Sequence, residues 1–351
     1  MTKVKIEKST IPNHFHIPSV FIKLNALFMK KSFIYFPGLC LIAIIVIIAC
    51  KKKSNDVNGT TQSLNQLFSE LKDTAQNFTV IAGTYQTLQG SNGTVIKFYP
   101  NSFQDASGST ITTGIINLQI IEMTSLGDMI ANRVTTIENG NLLSSSGELY
   151  IYASMAGKQV FASKYSLAFP QPNASTQPMK LYYGKITGDS VISWNTGDDS
   201  ASSTIVDTNH QFGNTNNYYV YDSCSNFGWV NSDDLTHIDP SAPRTTVSIT
   251  IPDKSFNTSN TEIFIAFPQK KCVINIVDIR DSSYVTTNAF ILNDDGNTIP
   301  VGLNYEIVII AKKNSFYYYY QGSGVTTNNF SLNITPYAET RNDIIMRLAG
   351  L

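Results

Sequence analysis

The sequence predicts an all-β chain: two antiparallel β-sandwich domains after an N-terminal apolar segment and a short tether. Three observations carry this. Charged residues are 15% of the 351, against about 25% in ordinary globular chains, and Ser, Thr, Asn and Tyr fill the shortfall. That balance excludes a disordered polyelectrolyte, a charge-laced coiled coil and a mainly helical protein, which needs more Glu, Lys, Ala and Leu. Short segments rich in Val, Ile, Thr, Tyr and Phe recur between clusters of turn residues. No long helical crossover separates them, so neighbouring strands pair antiparallel.

The N-terminus carries the sharpest signal. Residues 32–49 are an apolar run behind Lys30-Lys31, ending Ile47-Ile48-Ala49-Cys50. A basic region, an apolar region and a small residue before the cut describe an export signal. The Cys after Ala49 resembles the lipobox of bacterial lipoproteins, in which the Cys thiol is acylated and Cys50 becomes the new terminus. The competing reading is an uncleaved membrane anchor, which the length of the run just permits. Counted from Met29 the signal spans 29–49, a normal length, and 1–28 reads as an upstream extension. Loss of 1–49 removes six lysines and one glutamate and moves the formal charge from −1 to about −6. A chain of that sign is disfavoured as a nucleic-acid binder.

A tether and short helix occupy 50–77, with Leu64, Leu67, Phe68 and Leu71 at helical spacing behind Ser63 as N-cap. The first sandwich is expected over 78–169, with strands at 78–83, 94–98, 115–123 and 148–155 and one helical turn at 126–131. Gly90-Ser91-Asn92-Gly93, Asp105-Ala106-Ser107-Gly108 and Ala156-Gly157-Lys158 supply turns. Residues 170–221 read as a connector with strands. The second sandwich is expected over 222–351, with strands at 245–251, 262–267, 273–279, 305–311, 315–321 and 330–335. Lys312-Lys313-Asn314 joins two of these as a hairpin.

Two stretches resemble a known family. Gly93, Thr94, Pro100, Phe103, Asp128, Met129, Gly147 and Tyr150 match the pattern of a β-domain found in secreted lipoproteins of gut-dwelling and gliding Gram-negative bacteria. That domain is distantly similar to the β-sandwich of ankyrins and netrin receptors. Phe227-Gly228-Trp229-Val230-Asn231-Ser232-Asp233 resembles the G-W-I-N-C-D signature that follows it. Ser102 stands where the family has Ala, and Ser232 where it has Cys. The resemblance implies a fold and a place in the envelope; it brings no reaction.

The chemistry visible in the sequence is sparse. Of the four histidines, His210 and His237 follow the signal; His237 lies beside Asp233, Asp234 and Asp239, read as a solvated turn rather than a metal site. Asn293-Asp294-Asp295-Gly296-Asn297 reads as a hairpin turn, lacking the Glu and spacing of a calcium loop. No nucleophile elbow, phosphate loop or dinucleotide glycines appear, and no cofactor is implied. Cys224 and Cys272 are a possible disulfide. In the run Tyr317 to Tyr320, alternate rings face opposite sides of a strand, which makes Tyr318 and Tyr320 candidates for partner binding. Trp229 is expected as a buried anchor, with Gly228 allowing close approach.

These readings converge on a non-enzymatic envelope lipoprotein, a binding or assembly component. It is held at a membrane by its lipid and meets an envelope protein or a glycan. Lys51 after the Cys favours the outer membrane, and the scarcity of acidic residues there favours its periplasmic face. The alternative is a glycan-acting hydrolase, which needs two loop carboxylates about 5–10 Å apart.

Overall fold

A computed structural model describes residues 64–72, 74–138, 141–171, 179–187, 190–196, 202–206, 217–234, 242–276, 289–291 and 299–351. The signal, Cys50, His210, His237 and the 293–297 turn lie outside the described residues. The all-β expectation holds. Among the described residues no helix is long and apolar enough to cross a membrane.

The first half contains α1 (Leu64–Leu71), β1 (Gln76–Ile81), β2 (Gln86–Gln89), β3 (Val95–Phe98), β4 (Phe103–Gln104), β5 (Ile115–Met123), α2 (Leu126–Ala131), β6 (Ile137–Glu138), β7 (Asn141–Leu142), β8 (Ser144–Met155), β9 (Lys158–Ala162) and β10 (Tyr165–Gln171). It continues with β11 (Lys180–Thr187), β12 (Ser190–Thr196), β13 (Ser202–Val206), β14 (Asn217–Cys224) and β15 (Gly228–Asp234). Two sheets face each other, in orders β1-β5-β8-β15-β11-β12 and β13-β14-β10-β3-β2. The strands expected in a connector at 170–221 are thus integral to both sheets.

Alternation explains the packing. Along β5 and β8, Ile116, Leu118, Ile120, Leu149, Ile151 and Ala153 point into one core, where they meet Ile96, Phe98, Leu167, Phe169, Tyr219 and Tyr221 of the opposite sheet. Glu122 ties the β2–β3 turn to this layer: its carboxylate accepts from the backbone N–H of Asn92 and Thr94, both at 2.9 Å. Ser125 and Asp128 form a capping box on α2, so Asp128 serves the helix start.

The second half contains β16 (Arg244–Thr245), β17 (Val247–Thr250), β18 (Thr261–Phe267), β19 (Cys272–Asn275), β20 (Ala289–Ile291), β21 (Ile299–Pro300), β22 (Asn304–Lys313), β23 (Phe316–Val325), β24 (Phe330–Asn333), β25 (Tyr337–Glu339) and α3 (Arg341–Ala349). A sheet ordered β19-β18-β22-β23-β25 packs on a smaller one, β20-β17-β24, in which β17 and β24 run parallel. The hairpin after β22 turns at Asn314 and Ser315, both at positive φ, so Asn314 is in the turn as expected while Lys312 and Lys313 still belong to the strand.

The halves are not independent. Ile263, Ile265, Ile307 and Ile309 face the second sandwich's own core. Their neighbours Phe264, Ala266, Val308 and Ile310 face the other way, into a third core with α1, α2, α3, Tyr182 and Trp194. The helices therefore fill a seam between the two sandwiches, and β18 is buried along its whole length. At the seam Arg133 reaches Glu262 at 2.5 Å, both largely buried, and lies over the Phe68 ring at 4.2 Å.

Candidate functional site

The stretches 147–150 and 228–233 lie side by side. In the β8–β15 ladder Trp229 pairs with Tyr150, Asn231 with Glu148 and Ser232 with Gly147. A bulge falls between Ser232 and Asp233 in that register, and Gly147 takes φ +150° there, a value open to glycine.

Past this ladder the sheet forks. β5 holds one edge of β8 from Asn117 to Met123. On the other edge β15 ends at Gly228 opposite Ile151, and β9 begins at Val160 opposite Ala153. β9 is returned by a two-residue turn in which Ala156 and Gly157 both have positive φ, the type I′ geometry of tight hairpins. It then leaves β8 to pair Phe161 and Ala162 with β4. Tyr152 is left between the two ladders.

A groove of about 390 Å³ occupies the fork, within the range of ~300–1,000 Å³ for small-molecule sites. β8 supplies its floor, with Tyr150 and Tyr152. β9 and the β4 loop supply one wall, with Gln159, Phe161, Gln104 and Asp105. The β14–β15 turn supplies the other, with Asn226, Phe227 and Gly228. Phe161 is 39% exposed. Phe227 roots its wall in the core, 5.3 Å from the Tyr165 ring. Tyr150 is braced from behind by Trp229, ring centroids 4.9 Å apart; burial first and Tyr152 second raise its phenol above the usual value.

Asp105 is exposed, and its Oδ1 accepts from Ser107 N, Ser107 Oγ and Ser109 N. These bonds hold its carboxyl below the usual carboxylate range, so it is ionised at neutral pH. It is the one carboxylate among the groove's lining residues, where hydrolysis by an acid–base pair needs two. Among the described residues no group of three or more His, Cys, Asp or Glu is arranged to hold a metal.

The far end of the same motif is buried. Asn231 Nδ2 donates to Asp233 Oδ2 at 2.5 Å, and its Oδ1 accepts from Ser145 at 2.9 Å. Nδ2 also lies 3.4 Å from Glu148 Oε1. Glu148 Oε2, Asp233 Oδ1 and the Tyr182 hydroxyl are buried with no partner among the described residues. Desolvation first, and then neighbouring carboxylates, push Glu148 and Asp233 well above the usual carboxylate range. Ser232 is fully buried and bonds the Tyr221 hydroxyl at 2.6 Å. This end is a structural clamp with no access for a ligand.

No protein-family model matches this chain, and no curated protein does.

Other sequence candidates fall elsewhere. Tyr318 and Tyr320 are half-buried against the second sandwich's core, and Tyr318 meets Phe256 edge-on at 5.0 Å. Tyr319 and Tyr317 turn to the seam core. Both faces of β23 lie against core, with Tyr319 fully buried and Tyr317, Tyr318 and Tyr320 partly exposed. Cys224 and Cys272 are buried and form no disulfide; they lie in different sandwich cores. Burial pushes the Cys272 thiol up to about 12. Trp229 is half-buried, and the fully buried tryptophan is Trp194. A Cβ on Gly228 would meet open space, so that glycine serves its φ of +97° rather than a close approach. The groove's own residues Gln104, Gln159, Phe161 and Asn226 carried no sequence signal. The alternation Tyr150-Ile151-Tyr152 did, since period 2 puts both rings on one face.

Proposed function

We propose that the chain is the extracytoplasmic part of a lipid-anchored envelope protein that acts by binding, and that the groove at the sheet fork is its binding site. The groove supports the binding half: aromatic and amide side chains converge there beside a single carboxylate. The stretch Ile47-Ile48-Ala49-Cys50 after an apolar run supports the anchored half. Several acyl chains on Cys50 would hold the protein stably where a single chain would not. The outer membrane, with the chain on its periplasmic face, is the placement the lysines after Cys50 favour.

The anchor is tested by Cys50→Ala in a Gram-negative host. The variant is expected to lose fatty-acid labelling and to accumulate as uncleaved precursor. A wild-type membrane fraction with an intact N-terminus upstream of Cys50 defeats the lipoprotein reading. Protease treatment of intact cells is expected to spare the protein; rapid loss places it on the surface instead.

A further inference from the structure

We infer that the fork groove takes a neutral oligosaccharide, one or two sugar rings at a time; this rests on the binding reading above and names its ligand class. Several polar atoms of the groove are already used within the protein. Gln104 Nε2 donates to the Ala162 carbonyl at 2.7 Å. Asn226 Nδ2 is directed to Ser225 Oγ at 3.2 Å. Asp105 Oδ1 is taken by Ser107 and Ser109. Each side chain keeps one oxygen over: Oε1, Oδ1 and Oδ2. Each amide also keeps its second N–H, and the exposed Gln159 adds a whole amide, so the groove sets donors beside acceptors and asks for a ligand that brings both close together. Vicinal hydroxyls of a sugar do that. Phosphates, sulfates and carboxylates bring acceptors alone and would meet an ionised Asp105, with no Lys or Arg among the lining residues to offset the charge.

The aromatic groups fit the same ligand. Tyr150 and Tyr152 stand two residues apart on one strand, so their rings share a face. Their flat apolar bodies suit the C–H face of a pyranose while their hydroxyls remain available at the rim. Trp229 behind Tyr150 fixes the platform. A peptide added as a strand needs a run of open backbone on a sheet edge. The fork leaves only Tyr152 between its ladders, too little for a strand.

The test uses the full chain, purified in detergent, on an array of immobilised neutral and acidic oligosaccharides, followed by calorimetric titration of the hits to about 10 mM. Binding to neutral members is expected. Tyr152→Ala should weaken it about tenfold or more. Gln159→Ala, a change at an exposed side chain that leaves the fold alone, should weaken it about three- to tenfold. Absence of neutral hits, hits confined to acidic glycans, or affinity unchanged in both variants overturns the inference. A photo-crosslinking amino acid at position 159 in cells separates this failure from that of the parent reading. If the array is empty but the crosslinker captures an envelope protein that Tyr152→Ala releases, the groove binds a protein and the sugar is wrong. If neither occurs, the binding reading falls as well.

Discussion

Two tryptophans show how much a single residue's surroundings decide. Trp194 is fully buried in the seam core and donates its indole N–H to the Thr135 carbonyl. Trp229 is half-buried, with one ring face on Tyr150. Trp194→Ala is expected to cost about 3–5 kcal/mol, and Trp229→Ala nearer 1–2 kcal/mol. Urea unfolding of both variants checks the order, and equal losses would contradict it. The sequence drew attention to Trp229 because Gly228 precedes it, yet only the fold reveals which tryptophan has a core closed over it. Ser102 gives a second case. Its Oγ accepts from Tyr99 N at 2.7 Å and donates to the Lys164 carbonyl. Ser102→Ala strands both backbone groups. A loss of about 1–3 kcal/mol is expected, read from the unfolding midpoint at constant slope.

At the scale of elements, the contact of α2 with α3 depends on Gly127. A Cβ there would lie 1.9 Å from the Leu348 carbonyl oxygen, a distance no packing tolerates. Gly127→Ala is therefore expected to lift α3 off the seam, lower the melting temperature and expose 341–351 to limited proteolysis. A protease pattern like that of the wild type would show that α3 adapts. The strands themselves were largely legible, because β5 and β8 alternate as half-buried strands must. So were β18 and β22, but only as strands. Their unbroken apolar runs at 263–267 and 307–311 signal burial on both faces, which the expectation of two separate sandwiches left unused. The seam was hidden for a physical reason: it joins Leu67, Met129, Phe264 and Leu348, residues brought together by topology and by no local pattern. The groove was hidden likewise, since its walls come from four chain segments.

For the molecule as a whole, the buried pair Glu148 and Asp233 sets a pH dependence. Asp234 and Glu138 act on Asp233, and Asp233 on Glu148. Tyr182 and Cys272 face the same carboxylates from β11 and β19; no cation enters these balances. Both carboxyls hold protons more tightly folded than unfolded, so the folded state binds more protons above pH ~4, where the unfolded groups ionise. Their contribution is complete below that pH and is lost as pH rises toward the folded pKa values. Stability is expected to fall as pH rises above about 5, by up to about 1.4 kcal/mol per pH unit for each proton. Asp233→Asn should flatten that slope, and a wild-type melting temperature constant above that pH would refute the account. The seam has a further consequence, for how the protein opens. Arg341 of α3 reaches back to Glu70 at 2.8 Å, and Ile344 and Leu348 share the seam core with Leu67 and Phe68 of α1. Undocking of α3 alone therefore uncovers apolar side chains of α1 and α2 while the strands of both sheets stay paired. A chain shortened at Glu339 should be cut by a protease faster than the full chain, first around α1, and equal survival of the two would overturn this reading.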